Sequence, residues 1–308
     1  MSTRLAGGRR PRVVVSLIVL VVVAIASMIA MELSTRVEPL ISVRRWFVER
    51  VELSTLGSVA APEQPFSRSL ELPRLVAHGG GAVRGLAASN SVDALDHNYA
   101  EGFRFFEIDL EWTSDGEVVL AHDWDAWTKR YFDEEPGRLS AAEFHSANMT
   151  NGLRQLDLAG CAEWMRAHAD AVVITDFKKD NIRGLERIRD RYPDLVNRIV
   201  PQVYRFSEFD EAAALGFESI ILTLYRKNYS NWALHAFLER RRPLAVTMPA
   251  TRASASSAVE LELNSTFVFA HTVNVEREAL GLYRNGVDGF YTDSLSPDFS
   301  AAFVASRE

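Results

Sequence analysis

From Arg74 onward the chain alternates short apolar runs with longer stretches in which apolar residues recur every three to four positions. The runs at 74–79, 103–110, 171–177, 199–204, 219–225, 244–248, 266–272 and 288–292 have the length and composition of buried strands. Stretches between them, such as 91–101, 157–168, 182–191, 207–215, 230–241 and 275–284, carry the period of amphipathic helices. Eight strands separated by helices predict an α/β fold, with parallel βαβ units closing into a (β/α)8 TIM barrel over residues 73–308. A further run at 117–121 follows the Asp-Gly turn signal of Thr113-Ser114-Asp115-Gly116 and reads as a β-hairpin insertion after the second strand. The stretch 124–156, with Trp124, Trp127, Tyr131 and Phe132, is long for a loop. It reads equally as a substrate-contacting lid and as a structural insertion.

The pattern changes at the N-terminus. Val13 to Met31 is 19 residues without a charge, enough for one transmembrane helix. Residues 1–12 carry Arg4, Arg9, Arg10 and Arg12 and no acid, whereas the twelve residues after the run contain Arg36 as their one basic residue. The positive-inside rule then predicts a single-pass membrane protein with residues 1–12 in the cytoplasm and the large domain outside it. The rival is a cleaved signal peptide ending at Ala24-Ile25-Ala26, which would make the protein secreted. Residues 32–72 read as a juxtamembrane stalk and linker. Leu40, Val43, Phe47 and Val51 recur there at helical spacing, as in a helix lying on a membrane or one packing on the domain. Ala60 to Pro65 reads as linker.

Charge and cysteine content remove two classes of function. The chain has 34 Lys and Arg against 41 Asp and Glu, a net charge of −7, and four of its arginines lie in the first twelve residues. So acidic a domain is a poor partner for nucleic acid, whose binding rests on neutralising phosphates. The single cysteine, Cys161, excludes an intramolecular disulfide and falls in a helical pattern with Leu158, Trp164 and Met165.

The chemistry concentrates between His78 and His122. Side chains alternate along a strand, so Glu107 and Asp109 project to the same side, with Phe105. Two carboxylates projecting together from an apolar strand repel each other and lose hydration, which calls for a counter-cation, most simply a divalent metal. The hairpin returns His122 toward the acids. His78 ends the first strand and precedes three glycines that let backbone approach a ligand closely. Histidine titrates near neutral pH, so the two form an acid/base pair, with His78 read as base and His122 as acid. His97, His145, His168 and His235 fall in helical or loop stretches and read as structural.

The order His78-Gly79, Glu107-x-Asp109, Thr113-x-Asp115-Gly116 and Val118-Val119-x-x-His122-Asp123 resembles the glycerophosphodiester phosphodiesterase family, a relative of phosphatidylinositol-specific phospholipase C. Ile174-Thr175-Asp176-Phe177-Lys178 is similar to the family's acid-x-Lys strand end. His271-Thr272-Val273-Asn274 and Gly286 to Asp293 resemble its closing blocks. The resemblance implies a metal-dependent phosphodiesterase acting on a glycerophosphodiester or related phospholipid headgroup, with a substrate hydroxyl able to attack first and form a cyclic phosphate. Glu107, Asp109 and Asp176 would then hold the metal; three hard oxygen ligands favour Mg2+ or Ca2+. Lys178, Asn90, Gln202 and His271 would contact substrate. Four positions depart from the family pattern. Gly79 stands where an arginine that helps hold phosphate is usual, Ser89-Asn90-Ser91 replaces a Pro-Glu-Asn-Thr block, Asp176 replaces Glu, and His271 replaces Trp.

Two other readings fit the same residues. One is a zinc hydrolase on the same barrel, which the His-Gly-Gly strand end disfavours because it lacks a His-x-His pair. The other is a catalytically silent barrel that binds a phosphorylated ligand or envelope partner, which the glycine at 79 favours and the retained histidines oppose.

Overall fold

The computed structural model describes residues 38–56, 71–132, 137–227, 229–253 and 266–299. The membrane-spanning segment expected at 13–31 and the linker at 60–65 lie outside them. Among the described residues no helix is long and apolar enough to cross a membrane. The chain divides near Ser54 into two compact units. The described part of the first is one helix, Glu38–Thr55, where the stalk spacing placed one. Its apolar positions Val43, Phe47 and Val51 are exposed, as is Trp46, whereas Leu53 is buried.

The second unit is a closed barrel. Its parallel strands are β1 (Leu75–Ala77), β2 (Phe105–Trp112), β4 (Val172–Phe177), β5 (Ile199–Val203), β6 (Ile221–Thr223), β7 (Ala245–Pro249), β8 (Val268–His271) and β9 (Gly289–Thr292). They run β1-β9-β8-β7-β6-β5-β4-β2, and a β1–β2 pairing at Ala77 and Phe106 closes the ring. The remaining strand, β3 (Val118–Leu120), pairs antiparallel to β2 as the hairpin arm. Every strand and helix expected from the pattern is present within a few residues of its expected ends.

Period-two alternation decides what the barrel encloses. Val76, Phe105, Val172, Ile174, Val200, Ile221, Ala245, Phe269 and Tyr291 form one buried cluster with a contribution from every barrel strand. Each of the valine, isoleucine and phenylalanine side chains withdrawn from water contributes about 1.5–3 kcal/mol before the entropy cost of ordering it. Gly289 opens β9 because a Cβ there would stand 2.6 Å from the Phe269 ring and 2.9 Å from the Arg74 carbonyl oxygen. The same parity, carried one or two residues up each strand, brings polar residues to the C-terminal mouth.

The stretch 124–156 is built rather than looped. Helices Ala126–Phe132 and Ala141–Ser146 occupy much of it, the second closed by a Ser140–Glu143 capping box. Trp124, Trp127, Tyr131 and Phe132 turn inward onto Phe144 and onto Val119 and Ala121 of the hairpin. The structural-insertion reading therefore accounts for all four aromatic residues. Their attachment is functional in a second sense, because the Trp127 Nε1–H donates to the Ala88 carbonyl at 3.1 Å and the Tyr131 hydroxyl to that of Ala87. Both bonds tether the loop that carries Asn90.

Candidate active site

β2 and β4 are in register with Asp109 opposite Asp176, so two acids stand side by side on adjacent strands. Glu107 lies one inward position below Asp109. One oxygen from each of Glu107, Asp109 and Asp176 falls within 4.8 Å of the others, and all three residues are buried. Glu107 accepts from the Gly79 N–H at 2.9 Å. Asp109 is gripped twice by Asn90, whose Nδ2 donates to Oδ2 and whose Oδ1 accepts from the Asp109 N–H, each at 2.9 Å. Asp176 accepts from the Tyr204 hydroxyl.

Lys178 reaches back over this cluster. Its Nζ lies 2.5 Å from Asp176 Oδ2 and 2.7 Å from Asp109 Oδ1. That ammonium is the one partner of the buried Asp109 Oδ1 among the described residues. Three buried carboxylates converging their oxygens on one point fit a divalent cation.

The electrostatics follow from the crowding. Burial, then the neighbouring Asp109, raises the Glu107 carboxyl to about 8. Burial would raise Asp109 too, but Lys178, with His122 and His78, holds it well below the usual carboxylate range. The Lys178 ammonium is itself buried, yet Asp109 and Asp176 hold its pKa far above that of a free lysine. One proton and one ammonium thus offset two of the three acids, and one negative charge is left.

His78 stands at the end of β1, and its Nδ1 pairs with Asp293 Oδ1 at 2.9 Å. Asp293 accepts from Asn274 Nδ2 at 2.7 Å, and its own N–H donates to Asn274 Oδ1 at 2.7 Å. Burial pulls the His78 pKa down, but the Asp293 hydrogen bond and the charges of Glu107 and Asp109 overcome it and raise it to about 9. With Nδ1 committed, Nε2 is the nitrogen left for chemistry. His122 is 47% exposed, with Nδ1 2.7 Å from Asp123 Oδ2. Asp123 also accepts from the N–H groups of Asp125 and Trp127, which fixes it at the start of the insertion's first helix. The Ala121 N–H donates to the Asp109 carbonyl at 3.1 Å, which brings the hairpin end that carries His122 beside the acids.

The other expected residues spread around the mouth. Gln202 is buried on β5, its Oε1 accepting from the Tyr291 hydroxyl at 3.2 Å. His271 ends β8 with Nδ1 2.8 Å from Thr247 Oγ1 and its ring edge-on to Tyr225. Burial, with His78 and Lys178 nearby, lowers its pKa to about 3 and keeps it neutral. Asn90 spends its amide on Asp109, which makes it a support for the acid. Three supports were not singled out from the sequence: Asp293, Tyr204 as a partner of Asp176, and Asp123. Parity could have found Asp293, since Gly289, Tyr291 and Asp293 continue one inward face. Of the remaining histidines, His145 contacts Asp157 and His168 stacks on Trp164. Cys161 is buried and its thiol is pushed up to about 12, which leaves it unreactive.

Residues 78–230 match the model of the Glycerophosphoryl diester phosphodiesterase family. No curated protein matches the chain. Solved structures do. One is a putative glycerophosphoryl diester phosphodiesterase from Silicibacter pomeroyi, 15% identical, TM-score 0.60, covering 77% of this chain and 94% of that one. The glycerophosphodiester phosphodiesterase of Thermotoga maritima is 20% identical, TM-score 0.56, over 77% and 99%. A phosphodiesterase from Oleispira antarctica, in complex with the product sn-glycerol-3-phosphate, is 18% identical, TM-score 0.57, over 76% and 97%. At these identities the likeness is one of fold.

Proposed function

The chain carries a glycerophosphoryl diester phosphodiesterase domain and with it the activity class of a phosphoric diester hydrolase, and we propose that it cleaves a glycerophosphodiester or related phospholipid headgroup by metal-assisted histidine acid/base catalysis. The single observation that carries this reading is the convergence of Glu107, Asp109 and Asp176 below a histidine already oriented by a carboxylate. A divalent cation held by the three acids, Mg2+ or Ca2+, would polarise the phosphoryl oxygens and offset charge in the transition state. Lys178 keeps a second positive charge beside the same oxygens. His78, with Asp293 on Nδ1, would present a free Nε2 to take the proton of the attacking hydroxyl or water once a bound cation offsets the Glu107 and Asp109 charges that help raise its pKa to about 9. His122, exposed at the end of the hairpin, gives a proton to the leaving alkoxide. Gln202 and His271 shape the pocket around the departing alcohol. The product seen with the Oleispira antarctica phosphodiesterase, sn-glycerol-3-phosphate, is the product class expected here.

The localisation expected from residues 1–31 completes the proposal: an extracytoplasmic domain held at the membrane and supplied with phospholipid-derived diesters. The test is phosphorus NMR of purified protein with glycerophosphodiesters, in the presence of Mg2+, Ca2+ or chelator. Cation-dependent appearance of a phosphomonoester or cyclic phosphate, absent from the His122→Ala variant, supports the reading. Metal binding without turnover of any diester would favour the silent binding barrel.

A further inference from the structure

Gly79 lies where a phosphate-holding arginine would be expected from the resemblance, and the backbone there takes a side chain only under strain. Its φ is +54°, and a Cβ would stand 2.5 Å from the Ala88 Cα. The mouth nevertheless presents a guanidinium from another strand. Arg226, in the loop after β6, crosses over β5 and donates its Nη1–H to the Lys178 carbonyl at 2.7 Å. Its Cζ lies 5.0 Å from the centre of the Tyr204 ring, over its face. Two anchors on two strands hold the head of an exposed side chain at one place, which an idle surface arginine does not require. Among the described residues no carboxylate pairs with it, although the chain is rich in acids, so Nε and Nη2 remain for a ligand.

The position of that guanidinium decides what it binds. The Tyr204 hydroxyl reaches Asp176, while Arg226 lies over the ring face and bonds the Lys178 carbonyl, so the guanidinium stands beside the carboxylate cluster without bonding any of its three acids. The reacting phosphoryl group belongs over the acids and Lys178. Arg226 therefore faces a group farther out on the substrate. Next to it Tyr225, 60% exposed and edge-on to His271, leaves an open side toward solvent for that group. A planar fork with its Nε/Nη2 edge free suits a carboxylate or a phosphate monoester.

We propose that Arg226 is a specificity residue selecting phosphodiesters whose alcohol carries a second anionic group. The proposal rests on the phosphodiesterase reading for its reaction but on Arg226 alone for its selectivity. The experiment compares wild type, Arg226→Ala and Arg226→Lys on glycerophosphoserine, glycerophosphoinositol 4-phosphate and glycerophosphocholine. Wild type is expected to favour one or both anionic diesters in kcat/KM, mainly through KM. The ratio to glycerophosphocholine should fall at least about tenfold in Arg226→Ala and less in Arg226→Lys, the size of one charged hydrogen-bonding contact. Loss on glycerophosphoserine alone identifies a carboxylate as the ligand, and loss on the inositol phosphate alone a phosphate. An unchanged ratio, or an equal loss on all three substrates, overturns the proposal.

Calorimetric titration with phosphoserine, inositol 1,4-bisphosphate and phosphocholine decides the same point without turnover. Anionic selectivity lost in Arg226→Ala supports the subsite even if no diester is cleaved, whereas equal affinities in both proteins overturn it. Absence of cleavage would count against the phosphodiesterase reading alone.

Discussion

Asp293 holds His78 through Nδ1 at 2.9 Å, and Asn274 in turn holds Asp293 from two sides. Burial by itself would lower the His78 pKa, so the value near 9 is produced by this pairing with the acids below it. In chelator-treated protein His78 should titrate near 9 by nitrogen-resolved NMR. Asp293→Asn should bring it down toward or below the ordinary value of 6.5 and cut kcat by about tenfold or more. A group whose folded pKa lies above its unfolded value contributes stability that is whole below about 6.5 and lost as pH rises through 9. The melting temperature of the metal-free wild type should therefore fall more steeply over that window than that of Asp293→Asn. An unshifted titration in the variant would remove Asp293 as the cause.

Asn90 sits at φ +54° with both ends of its amide on Asp109. Asn90→Gly keeps the backbone conformation and deletes the clamp, whereas Asn90→Ala also strains the backbone. Asn90→Gly should weaken divalent-metal binding about 10–100-fold, the usual cost of losing a ligand's outer partner. Calorimetric metal titration checks this, and an unaltered affinity would mean that Asp109 needs no support. Asn90→Ala should in addition lower stability by about 1 kcal/mol or more.

Glu107, raised to about 8 by burial and Asp109, is largely protonated at neutral pH without metal. Metal binding must then expel a proton. Affinity should rise up to about tenfold for each pH unit from 6 to 8, and level off above it. Titrations in buffers of different ionisation enthalpy should report the released proton directly. A flat affinity over that range would mean that Glu107 is ionised before the metal arrives, or is not a ligand. Glu107→Gln should abolish the pH dependence together with most of the affinity.

The barrel was legible because its signal is local. Parallel strands buried on both faces read as short apolar runs, and helices between them as a 3.6-residue period. The acids and His78 were legible for the same reason, since alternation alone sends Glu107 and Asp109 to one side. The supports were less so, because each is a meeting of distant segments: Asp293 with His78, Tyr204 with Asp176, and Arg226 with Lys178. No local period encodes which strand ends face each other across a mouth. The aromatic residues of 124–156 show the same limit. Their composition suited a lid and a structural insertion equally, and the packing on Val119 and Ala121 reveals a buttress.

Gly79 gives the sharpest contrast between composition and geometry. From sequence, a glycine in place of an arginine invites restoring the arginine to recover a phosphate-binding group. In the fold, Gly79 has φ +54°, and a Cβ would stand 2.5 Å from the Ala88 Cα and 2.8 Å from its Cβ. Those contacts are to a backbone atom and to a methyl that has no rotamer, so no side-chain rotation relieves them. The Ala88 carbonyl also accepts from Trp127, and Asn90 follows two residues later, so a displaced Ala88 disturbs the clamp on Asp109. Gly79→Arg and Gly79→Ala should therefore behave alike. Each should cost about 1–3 kcal/mol, a fall of several degrees in Tm, and each should weaken metal binding. Should Gly79→Arg instead raise turnover while Gly79→Ala lowers it, the guanidinium would outweigh the strain, and the loop at Ala88 would be far more pliant than its two tethers allow.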